Sequence, residues 1–236
     1  ILNLPTPAGL EPLSLSSTNI APPSSFARSS ALSSRAESQG VVTQAMMQMS
    51  EGPSVNMLGD ARVSLTSSDP SCIEVVSDLS SSASYDYRAL DNGDCVSATI
   101  TATFTLGSWA ASTNTTVYIV RMQSLSVSAL LYPSCGSPAT TLYTLGCASP
   151  PVRQRVQFTA SYVLESDAGG YSLSGSVSLG HSDVTRTPSN LDSVSGVDIY
   201  QGTAAGAASF SISLLGGSAT RSVTISDTAL GLSAIS

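Results

Sequence analysis

The sequence predicts an all-β chain: two tandem antiparallel β-sandwiches, with the opening strand of a third repeat at the C-terminus. Three observations carry this. Only 11% of the 236 residues are charged while 42% are hydrophobic, so solvent-facing positions must be filled mainly by Ser, Thr, Ala and Gly, the palette of uncharged sheet faces and not of soluble helices. Apolar and polar residues alternate with the period of a half-buried strand in stretches such as "GSVSLGHS". And the chain repeats itself.

The repeat is clearest in "VSLTSSD" (Val63–Asp69) and "VSLGHSD" (Val177–Asp183), 114 residues apart. Extending both backwards without gaps aligns Val42–Asp69 with Val156–Asp183, and seven of 28 positions are identical, Glu51 with Glu165 among them. Each half reads as a strand, a Gly-containing turn and a second strand ending in Ser-Asp, which predicts that Val63 and Val177 occupy equivalent core positions. "VVTQAMMQM" could be a helix by composition, but it stands opposite "VQFTASYVL" and is read as a strand. Downstream, "SATITATFTL" (Ser97–Leu106) answers to "AASFSISLLG" (Ala207–Gly216), and "NTTVYIVR" (Asn114–Arg121) to "TRSVTISD" (Thr220–Asp227). Each pair follows a glycine turn, "DNGD" or "QGTAAG". The openers "LSLSS" at Leu13, "LSVSA" at Leu125 and "LGLSA" at Leu230 close the period. Module 1 is expected over residues 9–122 and module 2 over 123–229. Residues 1–8 would end a preceding segment and 230–236 would begin the next module. The Ser-rich stretch Pro22–Gln39 and its Pro-bearing counterpart Cys135–Gln154 read as long inter-strand loops.

This order of strands resembles the bacterial-Ig-like (Big2-type) modules of tandem surface proteins. "VSLTSSDPSCIEVV" is similar to that family's strand, SSDP-type turn and strand; "LDNGDCVSATITATFTLG" to its glycine turn and "ATITAT" strand; "TTVYIVR" to its closing strand. Module 2 departs, with "SDVTRTPSN" where SDP would stand and "AASFSIS" in place of ATITA. The resemblance implies Ig-like antiparallel sandwiches in a cell-surface array.

The four cysteines, Cys72, Cys95, Cys135 and Cys147, are even in number and lack C-x-x-C spacing. With one His in the chain a Cys/His zinc site is not expected; disulfides are, and of the three pairings Cys72–Cys95 with Cys135–Cys147 is the most local. That implies an oxidising compartment. Asn114-Thr115-Thr116 is the only N-x-S/T sequon and predicts glycosylation at Asn114. Trp109 nearby could stack on a sugar, though a lone Trp more often anchors a core.

An enzyme needs converging titratable groups. His181 lies beside Ser182 and Asp183, but neighbours on a strand point to opposite faces and cannot form a triad. Asp91, Asn92 and Asp94 could offer oxygens to Ca²⁺, yet "DNGD" is first a tight-turn signal and no EF-hand spacing accompanies it. No catalytic residue, metal or cofactor is therefore expected, and Glu51 and Glu165 are explained by a shared edge or turn. The net charge of −7 and nine scattered Arg, with no Lys, exclude a phosphate-binding surface and so a nucleic-acid partner. No apolar run approaches the roughly 20 residues that span a bilayer, so no membrane insertion is expected of this segment. "ILNLPTPAG" is not itself a signal peptide, and the chain reads as a processed or partial one.

The expected function is thus non-catalytic: a structural or adhesive repeat of an extracellular surface or filament glycoprotein. Its partners would be neighbouring modules, copies of itself and glycans. Its Ser/Ala/Thr-rich, Lys-free composition and the "APPSS" and "ASPPV" runs resemble flagellar mastigoneme and flagellar-coat glycoproteins of algae. The alternatives are a viral shell protein with one jelly roll, or a carbohydrate-binding sandwich, which would need an aromatic platform.

Overall fold

The computed structural model describes residues 5–77, 85–91, 94–133, 138–145, 152–166 and 168–230. It is all-β: among the described residues there are twenty strands and, besides them, one 3₁₀ turn at Phe26–Arg28, with no α-helix. The chain divides into two compact units. Unit 1 comprises Ile1–Arg28, Arg35–Arg121 and Leu164–Ser172; unit 2 comprises Ser29–Ser34, Met122–Val163 and Leu173–Ser236.

The strands met first are β1 (Pro7–Leu10), β2 (Ser14–Leu15), β3 (Asn19–Ile20), β4 (Gln39–Gln44), β5 (Met46–Met49), β6 (Val55–Asn56), β7 (Val63–Ser67), β8 (Ile73–Ser77), β9 (Tyr85–Ala89), β10 (Ser97–Leu106) and β11 (Trp109–Tyr132). In unit 1 one sheet runs β2-β4-β9-β8 and the other runs β7-β10-β11, with β3 added parallel to β11 at Asn19 and Ile20. Lettered in chain order, these sheets are A-B-E-D and C-F-G, the strand order of an immunoglobulin-type sandwich. β1, β5 and β6 form a separate three-stranded sheet. The alternation in "SATITATFTL" decides what β10 buries: Ala98, Ile100, Ala102 and Phe104 face inward while Thr99, Thr101 and Thr103 face out. Of the inward set, Ala98, Ile100 and Ala102 join Val42, Ile73, Tyr87, Val117 and Ile119 in one core. A second cluster of Met47, Val63 and Phe104 is flanked by Leu10, Met49, Met57 and Trp109.

The remaining strands are β12 (Thr141–Leu145), β13 (Val152–Arg153), β14 (Arg155–Ser166), β15 (Ser172–Val177), β16 (Val184–Ser189), β17 (Leu191–Ser195), β18 (Ile199–Gly202), β19 (Gly206–Leu214) and β20 (Gly217–Leu230). The same order recurs in unit 2. One sheet runs β11-β14-β18-β17, and β16-β19-β20 pairs with β12 parallel to β20. Its core is aromatic: Phe158 stacks on Phe210 with centroids 4.4 Å apart, and Tyr200 meets both rings at 5.8 and 5.0 Å. "VVTQAMMQM" is indeed strand, as β4 and β5 broken at Ala45.

The repeat does not have the register that the sequence suggests. Val63 opens β7, whereas Val177 closes β15, and "SLGHSD" after it is turn. The counterpart of Val63 is Val184. Both are reached through two successive turns: the Asp60 and Val63 amides bond to the Met57 and Asp60 carbonyls, and the His181 and Val184 amides to those of Ser178 and His181. Val63 then pairs with Phe104, and Val184 with Leu214. A V-S-L phrase suits the end of a strand as well as its beginning, because period-2 alternation does not mark where a strand starts. Glu51 and Glu165 are not equivalent either, one lying in a bend and the other in β14.

Each unit carries a tyrosine clamp of the same bonding pattern, on β9 in unit 1 and on β14 in unit 2. The Ser17 amide donates to the Tyr87 hydroxyl at 3.2 Å, and that hydroxyl donates back to the Ser17 carbonyl. In unit 2 the Tyr162 hydroxyl accepts from the Ser34 amide at 2.8 Å and donates to its carbonyl at 2.5 Å. Both tyrosines are buried over a glycine. Gly40 is the cross-strand partner of Tyr87, and a Cβ there would land on the ring; one at Gly175 would come 2.7 Å from the Tyr162 hydroxyl.

The Pro22–Gln39 segment is not the exposed loop its Ser content suggests. Ala27, Ala31, Leu32 and Ala36 are buried. In unit 2 Leu32 bridges Val177, with Ser33 N–H bonding to the Ser176 carbonyl at 2.9 Å and Ser178 N–H to the Ala31 carbonyl at 2.7 Å. Short side chains around Leu32 let the backbone come close enough to β15 for an isolated bridge that satisfies these backbone groups.

Candidate functional site

The most regular feature of the surface lies on the outer faces of the two C-F-G sheets. In unit 1 the register sets Ser64, Thr103 and Ser112 side by side, then Thr66, Thr101 and Asn114, then Thr99 beside Thr116. In unit 2 the rungs are Thr185–Ser213–Ser218, Thr187–Ser211–Thr220 and Ser189–Ser209–Ser222. All of these side chains are exposed or half-exposed and none is charged. With strands about 4.8 Å apart and same-face residues about 6.7 Å apart along each strand, each face is a small grid of hydroxyls. Neighbours bond across strands, as Ser211 Oγ and Thr220 Oγ1 do at 2.7 Å.

The individual candidates fall around these grids as follows. Asn114 is exposed in β11, opposite Thr101, and is itself a member of the unit 1 grid. Trp109 is half-buried and packs edge-on against Phe104 at 6.0 Å, so it anchors the second core cluster. Cys72 and Cys95 form a disulfide with Cα atoms 5.5 Å apart, tying the start of β8 to the approach to β10. Cys135, Cys147 and Asn92 lie outside the described residues.

His181, Ser182 and Asp183 sit in a turn and not on a strand. The Asp183 amide donates to His181 Nδ1 at 3.2 Å, and the Asp183 carboxylate accepts from Ser29 Oγ at 2.9 Å. Ser182 Oγ also donates to that carboxylate, at 3.4 Å, so both serines contact the acid and not the imidazole, which is the wrong order for a nucleophile-base-acid relay. Asp91 is occupied by Ser24, whose amide and hydroxyl donate to it at 3.0 and 2.5 Å; these bonds hold its carboxyl below the ordinary range. Among the described residues no group of three or more His, Cys, Asp or Glu could hold a metal ion.

Four of the nine arginines make close bonds within the fold. Arg62 binds Asp60 at 2.6 Å and lowers its carboxyl to about 2, chiefly through that side-chain hydrogen bond; Arg88 binds Glu74 at 2.6 Å and Arg153 binds Asp227 at 2.7 Å. Arg121 donates to the Cys95 carbonyl at 2.7 Å. A groove of about 420 Å³ opens in unit 2 between β16 and β17, lined by Val184, Arg186, Pro188, Leu191, Asp192, Ser193 and Tyr200. Its one aromatic ring, Tyr200, is 3% exposed and belongs to the core stack, so it offers no platform for a sugar.

The hydroxyl grids were only half legible in the sequence. "TITATFT" and "SFSIS" announce alternating small polar residues on single strands, but the convergence of three strands depends on register. No protein-family model and no curated protein matches the chain. Among solved structures it is similar to surface layer protein SbsC, domains 1–6, at 16% identity over 96% of this chain and 29% of that one, with a TM-score of 0.46. It is also similar to S-layer protein SbsC domains 4 and 5, at 15% identity over 92% of this chain and 99% of that one, with a TM-score of 0.43. The strand order of each unit stands on its own hydrogen bonds, independently of these likenesses.

Proposed function

We propose that this chain is a non-catalytic structural segment of an extracellular surface or filament glycoprotein, made of tandem Ig-like modules of the Big2 type and assembling through contacts between copies. The observation that carries this reading is the pair of charge-free hydroxyl grids on a chain of net charge −7. Copies that repel one another over most of their surface can approach where no charge lies. Ser and Thr lose little rotamer freedom on burial, whereas Lys or Glu in their place would lose about 1.5–2 kcal/mol each. One grid spans only about 300 Å² from its strand and rung spacings, well below the roughly 800 Å² per partner of a stable pairwise interface. Association is then weak between two copies and strong in an array. The disulfide fits an oxidising, extracellular setting. A flagellar coat or mastigoneme is the narrower form of this proposal, supported by composition alone.

The test is sedimentation of the full chain over rising concentration, with electron microscopy of the concentrated samples. Wild-type chains are expected to form ordered arrays at high concentration, and a Ser211→Glu/Thr220→Glu variant to stay monomeric. A wild type that remains monomeric throughout, or a variant that assembles equally well, refutes the reading.

A further inference from the structure

We infer that an N-linked oligosaccharide attached at Asn114 lies over the hydroxyl grid of unit 1, while the matching grid of unit 2 stays bare. This rests on the extracellular reading above. Asn114 heads the sequon Asn114-Thr115-Thr116 and is exposed in β11; Thr116, the sequon hydroxyl, is half-exposed on the same face one rung further along. Among the described residues the Asn114 amide has no hydrogen-bond partner in the protein, so its Nδ2 is not committed elsewhere. Across the strands stand Thr101 and then Thr66, with Ser112 one rung away. A sugar leaving Asn114 therefore meets a wall of uncharged donors and acceptors at each neighbouring position. Hydroxyl and acetamido groups of the sugar can bond to these without displacing any ion pair.

Unit 2 supplies the contrast. Aligning the two F-G hairpins at their ends, Leu106↔Trp109 and Leu214↔Gly217, places Ser222 where unit 1 has Asn114. Serine there cannot accept an N-glycan. Of the two hydroxyl-rich faces only that of unit 1 carries a sequon, one becoming sugar-covered and the other remaining open to a second copy.

The attachment is a group transfer from a lipid-linked oligosaccharide pyrophosphate. A bond forms between Asn114 Nδ2 and the anomeric carbon, the bond from that carbon to the phosphate oxygen breaks, the lipid pyrophosphate leaves, and the amide gives up one proton. The cell's transferase supplies the donor; the chain supplies the acceptor and the seat.

The experiment is to secrete the full chain from a eukaryotic host and measure intact mass before and after peptide-N-glycosidase digestion in ¹⁸O water, with Asn114→Gln and Thr116→Ala as controls. A glycan mass is expected on the wild type, with Asn114 converted to ¹⁸O-labelled Asp, and none on either control. Removal should then be timed on native and on unfolded protein. A seated glycan is expected to come off the native chain about tenfold more slowly, the factor that one or two hydrogen bonds confer, and a Thr66→Ala/Thr101→Ala variant should lose most of that difference. An unmodified wild type overturns the site, and equal rates on native and unfolded wild type overturn the seat. Neither result alters the sedimentation test above, which turns on unit 2 and the behaviour of the whole chain.

Discussion

Replacing Tyr87 by Phe removes one oxygen from the centre of unit 1 and leaves the ring in place. That oxygen makes two bonds to one residue, accepting from the Ser17 amide and donating to the Ser17 carbonyl. The ring is fully buried, while Ser17 is half-buried. Each lost bond costs about 1 kcal/mol net, and the stranded backbone groups add part of their desolvation penalty, so a loss of about 2–3 kcal/mol is expected. At a typical urea slope this lowers the unfolding midpoint by about 1 M. Trp109 is the only tryptophan and packs in unit 1 against Phe104, so its fluorescence reports the transition. Gly40→Ala tests the same geometry from the other strand. Its Cβ would fall on the Tyr87 ring, so the substitution should be severe in the wild type and mild in a Tyr87→Ala background. A Tyr87→Phe midpoint within experimental error of wild type would refute the clamp as an energetic element, and equal Gly40→Ala costs in the two backgrounds would refute the close approach.

Two further outcomes are expected. Cys72→Ser/Cys95→Ser opens a loop closed across 23 residues of sequence and should destabilise unit 1 by about 3 kcal/mol in the chain-entropy model, read by the same Trp109 fluorescence in urea. Asp60, held at about 2 by the Arg62 hydrogen bonds, should titrate near that value by carboxyl NMR and return toward 3.8 in Arg62→Ala; because the folded value is depressed, its contribution to stability is present above the unfolded pKa and fades as the pH falls toward 2.

How far the sequence alone carried the fold can be judged strand by strand. The sequence marked out β10, β19, β20 and the Asn114–Arg121 part of β11, because a two-residue period is a local property and every inward position in "SATITATFTL" is apolar. The repeat, which set it opposite "VQFTASYVL", placed "VVTQAMMQM" in strands against its composition. Alternation could not say which "VSL" matched which. Val63 begins its strand whereas Val177 ends one, and only the turn hydrogen bonds at Met57–Val63 and Ser178–Val184 reveal Val184 as the true counterpart. The burial of Ala31 and Leu32 was hidden for a related reason: a Ser-rich stretch looks like solvent-exposed loop until an edge strand, here β15, offers it backbone partners.

The chain by itself therefore determined its all-β class, its low content of charged residues and its sequon, since these follow from which residues are present and from their nearest neighbours. Tertiary structure decided the rest. It selected Cys72 and Cys95 as partners, lined Thr66, Thr101 and Asn114 into one rung, and gave the Asp183 carboxylate to Ser29. Each of these joins residues distant in sequence through strand register, and register is set by long-range pairing that no local pattern encodes.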